Sequence, residues 1–559
     1  MPVYEAPPVV EPSRSPPEPR KFGVISIANR ASLPKTKVGR LACAALALCV
    51  PFATSAETLA DAIASAYDRN PQLVQQRYLQ KSRDENYVQA RAQYGPNVTV
   101  QTQGQYTHTS PLGLLATNGA SQQTTLSISQ PLYTSGRLRG QVAAAKAGVL
   151  GGREALRQTE QQVVQDVIQV YAGVLRDEAR VEIGRENVTV LERQLRQNAK
   201  RNQYGDVTLT DVQQSDARLA AAQIQLAQLE ANLAVTRAQF LQVVGHNPGN
   251  LDPLPQLGGL PPTIDDAFIL ADQNNPSLRI AEFTESQSSA NAAATRGEQG
   301  PTVSLSGEGI YRNNGLFRVG GGNAQREAVA GFTISQPIFS GGAIQSRIRE
   351  ADARNRADQA GIDIARRQAL ESVTNAWVTL SSARIAVSTG QRQVDSAQAA
   401  FAGMSCEELN GLRSTIETLN AEEELQSAQL SLLQSRYNVY VSHAALLAAT
   451  GELSAQQIAN GITVYDPEAN FKRLRFAGFT PLELIASGVD RIGSASPRGP
   501  LSKDLSGANV PHPENPGKLT ASPDRELMNR RLTPITKSSL RLPNGDTARC
   551  PLNDIRGRR

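Results

Sequence analysis

The chain has 559 residues with a hydrophobic content of 40% and a mean hydropathy of −0.34, so most of its surface must meet water. Aromatic residues make up only 5% and there is a single Trp, while Ala and Gln crowd the middle of the chain; that composition suits long helices and excludes a compact aromatic core. The formal charge of +5 does not indicate nucleic-acid binding, because residues 57–471 hold 34 Lys+Arg against 41 Asp+Glu and the basic excess sits in the two ends.

Residues 1–56 read as a leader and signal peptide. Lys35, Lys37 and Arg40 precede the apolar run "LACAALALCVPFA", and small residues offer a cleavage site after Ala56. The run is too short to span a bilayer as a permanent helix. Leu48 before Cys49 is too large for a lipid-attachment box, and only Cys406 and Cys550 follow the leader, too few for a disulfide framework.

Beyond the leader the chain is written twice. "ISQPLYTSG" at Ile128–Gly136 returns as "ISQPIFSGG" at Ile334–Gly342, an offset of 206 that also carries Tyr171 to Trp377, Gly205 to Gly411 and Gly245 to Gly451. Upstream, an offset of 205 carries Asn70–Pro71 to Asn275–Pro276 and Gly95–Pro96 to Gly300–Pro301. One single-residue gap over such a distance marks an internal duplication, with copies at 57–250 and 262–455 joined by a linker at 251–261.

Each copy opens with a helical stretch of about forty residues that Gly-Pro stops. In "NVTVQTQGQY", Val98, Val100 and Tyr106 fall on one face and Thr99, Gln101, Gln103 and Gln105 on the other, and "TVSLSGEGIY" repeats the pattern. Period-2 alternation predicts strands with one apolar and one wet face. A second strand follows in each copy, "TTLSIS" and "AVAGFTIS". Pro131 and Pro337 cannot donate to a ladder, so pairing is expected to end there; Gly136 and Gly342 then permit a sharp turn into a helix. These four residues read as strand-to-helix swivels. From Gly140 to Gln203 no Pro intervenes, which predicts about 95 Å of helix at about 1.5 Å per residue. Tyr204-Gly205-Asp206 turns the chain into a returning helix, and copy two does the same around "NGLRST". Pairs this long want neighbours in a coiled-coil-like wall.

Two strands per copy make four per chain, each about the length a tilted membrane strand needs. Four strands cannot close, and an open edge in lipid leaves backbone groups unpaired at several kcal/mol each. Several chains must therefore share one barrel, two giving eight strands and three giving twelve. A porin that closes within one chain is excluded.

The duplication, "GP" entering the strands, the "QP" phrases leaving them, and "YGDVTLTDV" and "GLRSTIETLNAEEEL" at the helix tips resemble the TolC family of outer-membrane efflux ducts, over about residues 57–470. The resemblance implies an α+β membrane protein: a homotrimer sharing a twelve-stranded β-barrel in outer-membrane lipid, with a long α-helical coiled-coil tunnel in the periplasm. It also implies an equatorial belt that includes 456–471, and docking to a periplasmic adaptor and an inner-membrane pump of ABC or RND type. The implied function is a passive exit duct for drug efflux or type I secretion. The alternative is a periplasmic coiled-coil scaffold, which would not need four alternating strands. By the same resemblance, Glu417 matches one acidic residue of a ring at the closed entrance while Asn420 replaces a second. Asp211 and Arg413 match positions that latch neighbouring hairpins, although "CEELNG" lacks the aromatic partner of that latch. Gly205, Asp206, Leu409, Gly411 and Leu412 form the adaptor-docking tips. Glu422 and Glu423 read as a solvated helix face.

No cofactor or metal is expected, since His108, His246, His443 and His512 have no ligand spacing. "VGGGNA" at 319–324 lacks the Lys of a phosphate loop, and no nucleophile–base arrangement suggests an enzyme. Residues 472–559, rich in Pro, Ser, Gly and Arg, are expected to be disordered.

Overall fold

The computed structural model describes residues 56–109, 117–313, 325–459, 461–474, 477 and 481–492. The leader to residue 55, the loop at 319–324 and the tail beyond 492, with His512 and Cys550, lie outside the described residues.

Copy one begins with α1 (Leu59–Arg69) and α2 (Pro71–Ala92). The expected single helical stretch is thus broken, because Pro71 can sit only in a first turn and biases Asn70 away from helical geometry. The Asn70 side chain uses the break: it accepts from the Gln72 amide at 2.9 Å and donates to the Val243 carbonyl at 3.1 Å. Copy two breaks the same way into α5 (Ile264–Asn274) and α6 (Pro276–Gly297), with Asn275 donating to the Ala449 carbonyl at 3.0 Å. The repeated "NP" is therefore a cap that ties each helix pair to the returning helix of its own copy.

The strands are β1 (Asn97–Thr109), β2 (Thr117–Tyr133), β3 (Thr302–Asn313) and β4 (Gln325–Ser335), forming one antiparallel sheet in the order β1-β2-β3-β4. At 11 to 17 residues they exceed the expected ten. Val98 lies opposite Ile128, Val100 opposite Leu126 and Leu305 opposite Phe332, so the apolar residues share a face. That face is bare in one chain: Val100 is 68% and Phe332 72% exposed. The proline reading needs correction in copy one. Pairing of β2 with β1 ends at Ser129, but pairing with β3 continues past Pro131 to Tyr133 through a register shift, the irregularity expected where a ladder donor is missing. In copy two β4 stops at Ser335, before Pro337.

The long hairpins are α3 (Arg137–Gln203) with α4 (Leu209–Val244), and α7 (Ala343–Leu409) with α8 (Thr415–Thr450). Their lengths are identical in the two copies, 67 and 36 residues. Gly136 and Gly342 precede α3 and α7 with φ of 83° and 81°, the left-handed region that glycine enters without steric cost. The largest core lies where α1, α3, α4 and α8 meet, around Ile63, Val167, Ile168, Tyr171, Phe240 and Leu447. Tyr171 is fully buried and its hydroxyl donates to the carbonyls of Glu57 and Asp252, both at 2.8 Å, fastening the linker to the wall.

After α9 (Ala455–Ile458) the tail departs from expectation. Residues 467–474 form α10 (Pro467–Leu474) and 481–489 form α11 (Pro481–Val489). On α10, Phe471 packs on the Tyr87 ring at 5.1 Å and Asn470 donates to Asp84 at 2.8 Å. On α11, Glu483 pairs with Arg91 at 2.8 Å, and Ala486 is buried with Tyr94 and Leu138. Composition averaged over the whole tail hides this: "PLELIASGV" is apolar enough to pack, within a region that is otherwise Pro-, Ser- and Arg-rich.

Candidate functional site: the helical tips and the first swivel

The hairpins end in turns built by glycine, Gly205 at φ 80° and Gly411 at φ 72°. Just beyond each turn a capping box starts the returning helix. Asp211 accepts from the Thr208 amide at 2.9 Å and hydroxyl at 2.7 Å; Glu417, at the same position of the repeat, accepts from the Ser414 amide at 3.0 Å and hydroxyl at 2.9 Å. Arg413 bonds Glu407 and Glu417, each at 2.9 Å. The expected partners Asp211 and Arg413 therefore do not meet within this chain; each serves its own hairpin. The Glu417 carboxyl is held below its usual range, first by the Ser414 amide and hydroxyl and then by Arg413.

What joins the two hairpins is a different set. Glu408 is 4% exposed and accepts from Gln194 at 3.0 Å and Thr415 at 3.1 Å, with the Arg201 guanidinium 3.7 Å away. Gln194 and Arg201 belong to α3, so this carboxylate stitches copy two to copy one. Arg218 on α4 makes a second stitch, donating to Glu423 at 2.5 Å and to Asn420 at 2.9 Å on α8. Asn420 is thereby tied to the neighbouring hairpin. Glu408 lies within "CEELNG", where the expected aromatic is missing. A signal was present: a carboxylate in the last turn of a helix opposes the macrodipole and calls for a partner.

Glu422 and Glu423 do not form one solvated face. Glu423 takes Arg218, but Glu422 is 7% exposed, and burial alone pushes its carboxyl up to about 7. A folded value raised above the unfolded 4.5 means the associated stability is fully present below pH 4.5 and is lost as pH rises through about 7. Glu422→Gln is accordingly expected to add at most about 3 kcal/mol of stability at pH 8, seen as a higher melting temperature, and to change neither at pH 4. Equal melting of variant and wild type at pH 8 would show that this carboxylate reaches water.

At the opposite end of α3 a second constellation fixes the swivel. Asp490, fully buried, accepts from the Thr134 amide at 2.7 Å, the Gly136 amide at 3.0 Å, the Thr134 hydroxyl at 3.0 Å and the Tyr94 hydroxyl at 3.1 Å. Gln130 adds a bond to the Tyr94 carbonyl at 2.7 Å. Gly136 is thus held as expected for a turn, and the residue that holds it comes from the segment expected to be disordered. Gly342 has the same conformation, and its neighbours Ile338 and Phe339 are 97% and 90% exposed.

Among the described residues there is no cluster of His, Cys, Asp and Glu able to hold a metal, and no helix is long and apolar enough to cross a membrane.

A family model described as outer membrane efflux protein matches residues 62–246 and 269–452, one match on each copy. The chain is similar to the outer membrane efflux protein BepC of Brucella suis biovar 1, 28% identical over 428 residues, covering 76% of this chain and 91% of that one. It is also similar to the alkaline protease secretion protein AprF of Pseudomonas aeruginosa, 25% identical over 342 residues, covering 59% and 69%. Among solved structures, the Campylobacter jejuni CmeC outer membrane channel superposes with a TM-score of 0.65 at 15% identity, covering 76% of this chain and 90% of that one.

Proposed function

The chain belongs to the outer membrane efflux protein family, and from that premise we propose that three copies close one twelve-stranded barrel in the outer membrane and form the passive exit duct of a tripartite efflux or type I secretion system. The observation that carries this reading is the four-stranded sheet, whose β1 and β4 each lack a second neighbour among the described residues and whose apolar face is bare. Backbone groups at such edges can be satisfied in lipid only by another copy. The relatives BepC and AprF are named for efflux and for protease secretion respectively, which supports an exit-duct role without choosing between the two kinds of traffic.

In this reading the tips close the periplasmic entrance. Asp211 and Arg413 latch adjoining hairpins of neighbouring copies, Glu417 and Asn420 ring the opening, and the capping-box geometry holds Glu417 ionised there. Because Arg413 also binds Glu417, latch and ring are one charge network. Gly205, Asp206, Leu409, Gly411 and Leu412 meet the periplasmic adaptor, which links the duct to an ABC- or RND-type pump. Leu409 and Leu412, 69% and 68% exposed, offer an apolar seat.

Light scattering in mild detergent is expected to give a trimer, and the purified trimer is expected to open water-filled channels in planar bilayers. A folded monomer that leaves bilayers intact would overturn the reading.

A further inference from the structure

The two swivels are finished differently. In copy one, Leu132 and Tyr133 are half-buried, and the Tyr133 hydroxyl donates to the Ile492 carbonyl at 3.1 Å, so the tail reaches over Tyr133. Their counterparts at the offset of 206 are Ile338 and Phe339, which stand bare. The same tail presents an exposed apolar stripe that no other described residue covers. Leu482, Ile485, Val489 and Ile492 recur at helical spacing and are 45%, 61%, 40% and 70% exposed.

The register shows where the bare pieces go. Asn97 at the start of β1 and Ser335 at the end of β4 lie at the same end of the sheet, since Asn97 opposes Ser129, Ser129 opposes Ser306, and β3 begins opposite Ser335. When β1 of one copy pairs antiparallel with β4 of the next, the segment leaving that β4 descends beside the segment entering β1. The segment entering β1 carries Arg91 and Tyr94, to which α11 is fastened through Glu483 and Asp490. The next copy's Ile338 and Phe339 therefore arrive at the outer stripe of α11.

We propose that α11 is an intersubunit clasp: its inner side closes the first swivel of its own chain, and its apolar stripe seats Ile338 and Phe339 of the adjacent copy. This rests on the shared-barrel reading. Each chain has two swivels and, among its described residues, one such helix, which is already engaged at the first swivel, so the second swivel is left for an adjacent copy to finish. Burying two large apolar side chains against such a stripe is the kind of contact that carries an interface.

The test uses the full-length protein with Ile485→Cys and Phe339→Cys together, and each alone as a control that retains Cys406 and Cys550. Mild oxidation is expected to give covalent dimers and trimers with the double variant only, reversed by reductant. A trimer by light scattering without those bands would overturn the clasp while leaving the shared barrel standing; a monomer would remove both. Should the double variant fail to assemble, Ile485→Asp decides. A heat-dissociation temperature of the trimer lowered by several degrees supports the clasp. An unchanged temperature, with weaker binding to phosphatidylethanolamine–phosphatidylglycerol vesicles, would place the stripe against lipid instead.

Discussion

Asp490→Ala is expected to release the tail and to destabilise the assembled protein more than any other single substitution in the described tail. The carboxylate is fully buried and its Oδ1 takes both the Thr134 and Gly136 amides. Truncation strands those two donors in a dry site at about 1–3 kcal/mol each, so the loss per chain is about 2–6 kcal/mol. Residues 467–492 should become sensitive to protease, and the trimer should dissociate at lower temperature. Asp490→Asn makes the informative control. An amide oxygen can still accept from both backbone groups, while its NH2 can face the Thr134 and Tyr94 hydroxyls, which are free to rotate and accept. The expected loss is then about 1 kcal/mol. If the alanine variant melts and resists protease like wild type, Asp490 is a passenger and the swivel is held by glycine geometry alone.

Glu408→Ala is expected to open the channel. Parting the α7–α8 hairpin from α3 and α4 breaks the bonds that Glu408 accepts from Gln194 and the approach of Arg201. Hydrogen bonds to a charged group contribute about 1.5–3 kcal/mol. Three copies repeat the stitch, giving about 5 kcal/mol or more, and at about 1.4 kcal/mol per tenfold the opening equilibrium shifts by roughly a thousandfold. Planar-bilayer recordings should show a channel that is mostly closed in wild type and mostly open in the variant, with Glu408→Gln in between because its oxygen still accepts. Recordings indistinguishable from wild type would mean that the two hairpins move as one body and the gate lies elsewhere.

How far the sequence could be read depended on how far apart the interacting residues stand. The strands, the swivels and the hairpins are encoded by neighbours: alternation in "NVTVQTQGQY", a proline and a glycine five residues apart, a Pro-free run from Gly140 to Gln203. Writing the unit twice made each signal checkable against its copy. The break at Asn70–Pro71 is visible as a repeated dipeptide that caps its own helix through Gln72, but its role in tying that helix to α4 rests on the Val243 carbonyl, 173 residues away. The stitches at the tips were out of reach for the same reason. Glu408 and Gln194 are 214 residues apart, and no periodicity connects them. The burial of Glu422 is not legible locally, because a carboxylate in an Ala- and Leu-rich helix looks solvated until that helix is packed on several sides. Asp490 was lost in a region read by its average composition, where one apolar turn of helix carries no weight.

The unequal treatment of Gly136 and Gly342 has a mechanical meaning. Both are bends of the same angle at the head of helices of the same length, but one is welded by a carboxylate and the other is not. Around a closed ring of three chains the joints between barrel and tube would alternate, one fixed by buried hydrogen bonds and the other held only by an apolar seat on the adjacent copy's α11, which can slide and is the more compliant. A twist applied at the far end of α7 is then absorbed at its compliant joint, whereas α3 carries load straight into the sheet. Such a coupling lets the periplasmic end of the tube dilate while the barrel keeps its diameter, with three struts bearing the torque and three hinges yielding to it.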